Sequence, residues 1–271
     1  MLPLSRESEG SLRPFLSFSI LAFNERATVA SMARCSSSIL ESCKRTYELV
    51  LIDDGSTDGT GQLIESLADE LPHCRTIHHP RNLGIGAGLQ TAFLFTRGEW
   101  ATCFPADWQV DPCELPRLLG ALADCDVLVT YRDARRRRAP VSRKLLSRVD
   151  RALVRWLFGI ALKDLHWIRF FRRGLLERMQ LRCRSCCVDT EMMVWAKKLG
   201  ARVRQVQLLD QPRSAGSSKG ASLKSILTST GDLLRLWLQG STRKSRQGHD
   251  SQNLARQSEN WDHVSRATME I

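Results

Sequence analysis

Two adjacent carboxylates, Asp53 and Asp54, stand in the string LVLIDDGSTDGT at Leu49–Thr60, where an apolar run gives way to a Gly-Ser-Thr turn. A carboxylate at a strand end can accept hydrogen bonds from a ribose hydroxyl or a base N–H, which is the chemistry of nucleotide recognition. A capped acidic turn is the simpler structural reading, because Asp58 and Thr60 suit the start of a following helix. Further along, PADWQVDP at Pro105–Pro112 places Asp107 and Gln109, two hard oxygen donors, after another apolar run. Such donors beside a diphosphate suit Mg2+ or Mn2+, which would neutralise charge on a departing nucleotide. Asp111, followed by Pro112 and Glu114, reads instead as a helix cap. GIGAG at Gly84–Gly88 lacks the G-x-G-x-x-G spacing and its distal acidic residue, so NAD binding is rejected. Glycines opening a helix still permit close backbone approach to phosphate.

The elements that must position these residues alternate along the chain. Strands are expected at 15–23, 47–52, 74–78, 100–104, 126–131, 167–171 and 203–209. Helices are expected at 28–40, 60–71, 87–96, 114–123, 145–158, 187–199 and 222–238. Apolar strands alternating with helices predict an α/β fold in which a mostly parallel sheet has helices on both faces. Ligands then bind at the carboxyl ends of the strands, where both acidic motifs fall.

The chain has 271 residues and a net charge of +11. Residues 1–125 carry 10 Lys+Arg against 16 Asp+Glu, whereas residues 126–240 carry 25 against 9. An acidic first half and a basic second half imply different partners. No apolar run is long enough for a membrane-spanning helix. The nine cysteines are scattered apart from Cys183, Cys186 and Cys187, which lack a second ligand pair at zinc spacing, so reduced cytosolic thiols are expected. Residues 1–13 read as a flexible leader, 14–240 as a single domain, and 241–271 as a polar disordered tail.

The ordered motifs ILAFNE (20–25), DDGSTDGT, NLGIGAGLQTAF (82–93), PADWQVDP, TYR (130–132), LKDLHWIRFFRR (162–173), Glu191 and RSAGSSK (213–219) resemble the family 2 glycosyltransferases of GT-A fold. Within that family they are similar to the dolichyl- and polyprenyl-phosphate sugar transferases. The resemblance implies that Ala22, Asn24 and Glu25 lie along a nucleotide, that Asp53 and Asp54 belong to its site, and that Asn82 and Gly86 sit beside ribose and diphosphate. It implies a nucleotide-sugar half at 14–125 and an acceptor half at 126–240. Relatives carry D-x-D-x-Q where this chain has Pro105 in place of the first Asp, which leaves Asp107 and Gln109 as metal ligands.

Arg132, Arg213 and Lys219 match the phosphate-handling positions of the lipid-phosphate transferases, and guanidinium groups suit bidentate phosphate contacts. Glu191 matches an acidic position that could serve as general base toward a hydroxyl acceptor; a lipid phosphate, already anionic, needs little such help. Arg135–Arg138 reads as a solvated loop or as a contact for anionic headgroups, and no motif argues for nucleic acid. The basic helix at 145–158 and the amphipathic helix at 222–238 support peripheral attachment to the cytoplasmic face of a membrane, or else pack on the core. The expected reaction is inverting transfer from a GDP- or UDP-sugar to a polyprenyl phosphate. The rivals are transfer to a hydroxyl and a non-catalytic nucleotide- or lipid-binding relative.

Overall fold

A computed structural model describes residues 13–132, 141–183, 185, 187–208, 231–232 and 236–237. Arg213, Lys219, the arginine run, residues 1–12 of the expected leader, the tail from 241 and most of the expected 222–238 helix lie outside the described residues. Gly231–Ile271 forms a separate unit, of which only two helical residue pairs are described.

The first strands are short apolar runs, and both faces of each are covered. β1 (Leu16–Ala22) and β2 (Tyr47–Asp53) are almost wholly buried. β3 (Cys74–His78), β4 (Trp100–Pro105), β5 (Val127–Tyr131), β6 (Arg169–Arg172) and β7 (Val203–Gln207) complete a seven-stranded sheet of order β3-β2-β1-β4-β6-β5-β7. All pairs are parallel except those of β6, which runs against both β4 and β5. That reversal brings the start of β6 to the same sheet edge as the carboxyl ends of the other strands.

Alternate strand residues face opposite layers. Leu16, Phe18, Ile20, Leu49 and Leu51 pack with residues from α1 (Val29–Ser42), α2 (Thr60–Glu70) and α4 (Leu115–Gly120). On the other face lies α3 (Ile85–Leu94), with Phe93 edge-on to Phe171 of β6 at 5.3 Å. A Cβ at Gly88 would come within 2.6 Å of the Leu21 methyls, so any larger residue there would require the Leu21 side chain to shift. The buried Arg173 guanidinium donates to the Phe93 carbonyl (3.0 Å), an orphan acceptor at the end of α3, and to Thr96 Oγ1 (2.6 Å) just beyond it. α6 (Arg173–Leu176) and α7 (Val188–Lys198) follow β6.

One boundary differs markedly from expectation. α5 spans Val141–Phe158, so the helix expected at 145–158 begins four residues earlier. Its residues are good helix formers, and Pro140 immediately precedes it, a placement that suits a helix start.

Candidate active site

Register decides what meets at the carboxyl edge. Ala22 pairs with Asp53, and Asp53 with His78, so three strand ends lie in one row. Beyond them opens a cleft of about 450 Å3 whose lining includes Phe23, Asp53, His78, Arg81 and Asn82. Asn24, with φ of 54°, donates its N–H to Ser56 Oγ and accepts from the Thr57 N–H at 2.9 Å. Glu25 N–H donates to Thr60 Oγ1, and Glu25 Oε2 accepts from Thr28. The loops after β1 and β2 are thereby laced together as one wall. Gly55, with φ of 68°, crosses so close to the chain at Arg81–Asn82 that a Cβ would lie 2.2 Å from the Arg81 carbonyl carbon.

The two adjacent carboxylates divide their work. Asp53 Oδ1 accepts the Ser56 amide at 3.0 Å, and Oδ2 lies 3.3 Å from His78 Nδ1 at the cleft wall. Asp54 turns away. Its oxygens accept the Leu83 and Gly84 amides, each at 2.9 Å, and meet His79 Nδ1 at 2.7 Å. His79 continues to Thr91 of α3. Asp54 therefore holds the Asn82–Gly84 segment in place, a positioning role where direct ligand contact was expected. Asn82 lines the cleft, whereas Gly86 is buried in the first turn of α3 and Ala22 is buried in the strand.

Pro105 pairs with Leu21, one residue before Ala22, which puts the following turn at the same edge. Trp108 adopts a left-handed φ of 60°, and its indole N–H donates to Ser31 of α1 at 3.0 Å. The turn thus faces α1 on one side. Asp107 is 6% exposed and accepts the Gln109 backbone N–H at 3.1 Å and its side-chain N–H at 2.5 Å. The Gln109 amide oxygen is left as its ligand atom. Among the described residues no group of three or more His, Cys, Asp or Glu is placed to hold a metal. An ion here would take one protein carboxylate and fill its shell from diphosphate oxygens and water, an arrangement that suits Mg2+.

On the acceptor side, Arg132 forms a paired contact with Asp164, at 2.7 and 3.2 Å, and lies over the Trp167 ring at 4.2 Å. Two of its five N–H donors are spent there, and three remain. Glu191 is 2% exposed and accepts the amides of Arg182 and Cys183 at 2.8–3.0 Å. Its geometry is that of a loop anchor, and this removes the argument for Glu191 as general base. Burial pushes the Cys74 thiol up to about 11 and the Cys103 thiol up to about 12, which disfavours the reactive thiolate at both.

His78, His79, Arg81, Asp164, His166, Arg169 and Asp189 were not singled out from sequence. The two histidines follow a strand end, so the strand-end rule itself could have found them. His166 lies between Asp150 of α5 (3.0 Å) and Asp189 of α7 (3.4 Å), and Asp189 also pairs with the buried Arg169. Burial opposes a charged ring, but the hydrogen bonds and charges of Asp150 and Asp189 outweigh it and push His166 up to about 10 from 6.5. A raised folded pKa adds stability that is complete below about pH 6.5 and lost as pH rises toward about 10. Urea unfolding should therefore show wild type losing its advantage over His166→Gln across that window. Parallel pH profiles for the two proteins would show that the ring is not held charged.

A mostly parallel sheet with a cleft at its carboxyl edge, walled by glycine-bearing loops, defines an α/β protein of the kind that binds ligands at its strand ends. Residues 17–180 match the model of glycosyl transferase family 2, and the chain belongs to that family. It is 30% identical over 209 residues to the undecaprenyl-phosphate 4-deoxy-4-formamido-L-arabinose transferase of Pseudomonas paraeruginosa, covering 76% of this chain and 60% of that one. The protein of the same name from Salmonella choleraesuis is 29% identical over 211 residues, covering 76% and 63%. The chain thus spans less than two thirds of these relatives' length. Among solved structures, Mycobacterium tuberculosis glucosyl-3-phosphoglycerate synthase shares the fold. Its complex with Mn2+, UDP and glucosyl-3-phosphoglycerate superposes with TM-score 0.58 at 22% identity, covering 83% of this chain and 79% of that one. Its complex with Mg2+ and UDP gives 0.60 at 21%, with the same coverage. This is the GT-A architecture, as expected.

Proposed function

We propose that the protein is an inverting glycosyltransferase that moves a sugar from a GDP- or UDP-sugar to a polyprenyl phosphate at a membrane surface, on its cytoplasmic face. The observation that carries this reading is the cleft at the ends of β1–β3, with the Asp53 carboxylate in its wall. Asp53 would accept hydrogen bonds from the base, Asn24 and Glu25 would shape the adjoining wall, and Asn82 would lie beside ribose and diphosphate. Arg81, at the cleft rim, adds a cation suited to phosphate. Asp107 and Gln109 would hold Mg2+ or Mn2+, which when bound offsets charge on the departing diphosphate.

The acceptor assignment rests on the undecaprenyl-phosphate named for the relatives and on the basic second half. Arg132, stiffened by Asp164 and Trp167, would turn its remaining N–H groups to the acceptor phosphate, with Arg213 and Lys219 as its partners in that task. A phosphate oxygen would attack the anomeric carbon in line with the departing diphosphate. Catalysis then rests on positioning and charge, without a side-chain base. Glu191 fits this, since both of its oxygens already accept backbone amides.

The test is incubation of the purified chain with GDP- and UDP-sugars, Mg2+ or Mn2+, and short-chain polyprenyl phosphates. Transfer to the lipid phosphate is expected. Nucleotide binding without transfer across the panel would sink the enzyme reading and leave a binding relative.

A further inference from the structure

Helix α5 presents a surface that the proposed chemistry does not use. Trp156 is 79% exposed and Val149 is 56% exposed. Arg148, Ala152 and Arg155 are exposed as well. Val149 and Trp156 are seven residues apart, as are Arg148 and Arg155, so each pair forms a row along the helix with Ala152 between the rows. The outward face is thus an apolar row beside a basic one.

This face is held out rigidly. Val154, on the opposite side, is fully buried. Asp150 ties the middle of the helix to His166, and Lys197 Nζ caps its end by donating to the carbonyls of Phe158 and Gly159 at 2.8 and 2.9 Å. The exposure of a tryptophan here is therefore a property of the packed helix.

We propose that α5 lies flat on an anionic bilayer, with Trp156 and Val149 entering the headgroup region and Arg148 and Arg155 meeting lipid phosphates. This deepens the membrane part of the function proposed above and rests on it only for the identity of the surface. Charge selects the occupant. α5 carries five basic residues and one acidic one, so a second copy of the same face would meet it with like charge. An anionic bilayer complements the basic row, and the interface suits an amphipathic aromatic ring. Among the described residues no helix is long and apolar enough to cross a membrane, so a contact of this kind would be peripheral.

Flotation of the full chain with phosphatidylcholine vesicles, with or without phosphatidylglycerol, tests this directly. Wild type should float only with the anionic vesicles. Arg148→Gln with Arg155→Gln should weaken partitioning about 30-fold, at about fivefold per arginine. Val149→Ser with Trp156→Ser should weaken it about tenfold or more. All four positions are solvent-facing, so the variants should keep the wild-type Tm, and they should keep any transfer to short-chain acceptor in detergent. Flotation of the variants equal to wild type overturns the proposal. So does a wild-type dimer that the serine pair dissolves without any vesicle binding, or nucleic acid binding in place of lipid. Flotation needs no sugar donor, so a failed transfer panel would count against the transferase reading alone.

Discussion

Replacing Asp54 by alanine is expected to lower stability by about 3 kcal/mol or more, because two backbone amides and a histidine nitrogen lose a charged acceptor at once. At roughly 2–4 °C per kcal/mol for a domain of this size, Tm should fall by about 6–12 °C. Donor affinity should fall with it, since the segment bearing Asn82 is held in place by the same carboxylate. Differential scanning calorimetry and titration with UDP and GDP measure both effects. Loss of nucleotide affinity at an unchanged Tm would make Asp54 a ligand contact and refute its role as the loop's anchor. Asp54→Asn, which keeps one acceptor oxygen, should fall between alanine and wild type.

Asp107→Ala is expected to behave in the opposite way. Its effect should fall on activity: the two Gln109 N–H groups that it accepts shape the turn at the sheet edge. Transfer should fall by about 10²–10³-fold in kcat/KM, the scale seen when one preorganised charge-stabilising group is removed from a site. Divalent-dependent strengthening of nucleotide binding should disappear as well. The effect is large because Pro105 stands where the resembling transferases carry another aspartate, so position 105 offers no second carboxylate. Unchanged activity in Asp107→Ala would separate this residue from any metal.

Much of the fold was legible in local pattern. The runs at 16–22, 47–53 and 100–105 are short, mostly apolar and buried on both faces, as parallel strands in a covered sheet are, and the helices between them bury one face. The donor motif was legible for the same reason: its residues are contiguous at one strand end. Where contacts crossed the chain, the pattern was silent. Helix α5 begins four residues before the expected start at 145, where Arg143 and Lys144 give the chain a loop-like composition.

The sequence by itself determined the order of strands and helices, the acidic edge, the family and the basic character of the second half. Each depends on neighbours within about ten residues, where side-chain periodicity and strand length leave few alternatives. Only the tertiary structure decided that Asp53 faces the cleft while Asp54 grips the 83–84 amides, since adjacent side chains point apart and their partners lie about 30 residues away. It also decided that β6 is reversed, which brings Arg169, Asp164 and His166 to the ligand edge, and that Glu191 is spent on backbone amides. Such assignments follow from register and packing between distant segments, and no local spacing encodes them.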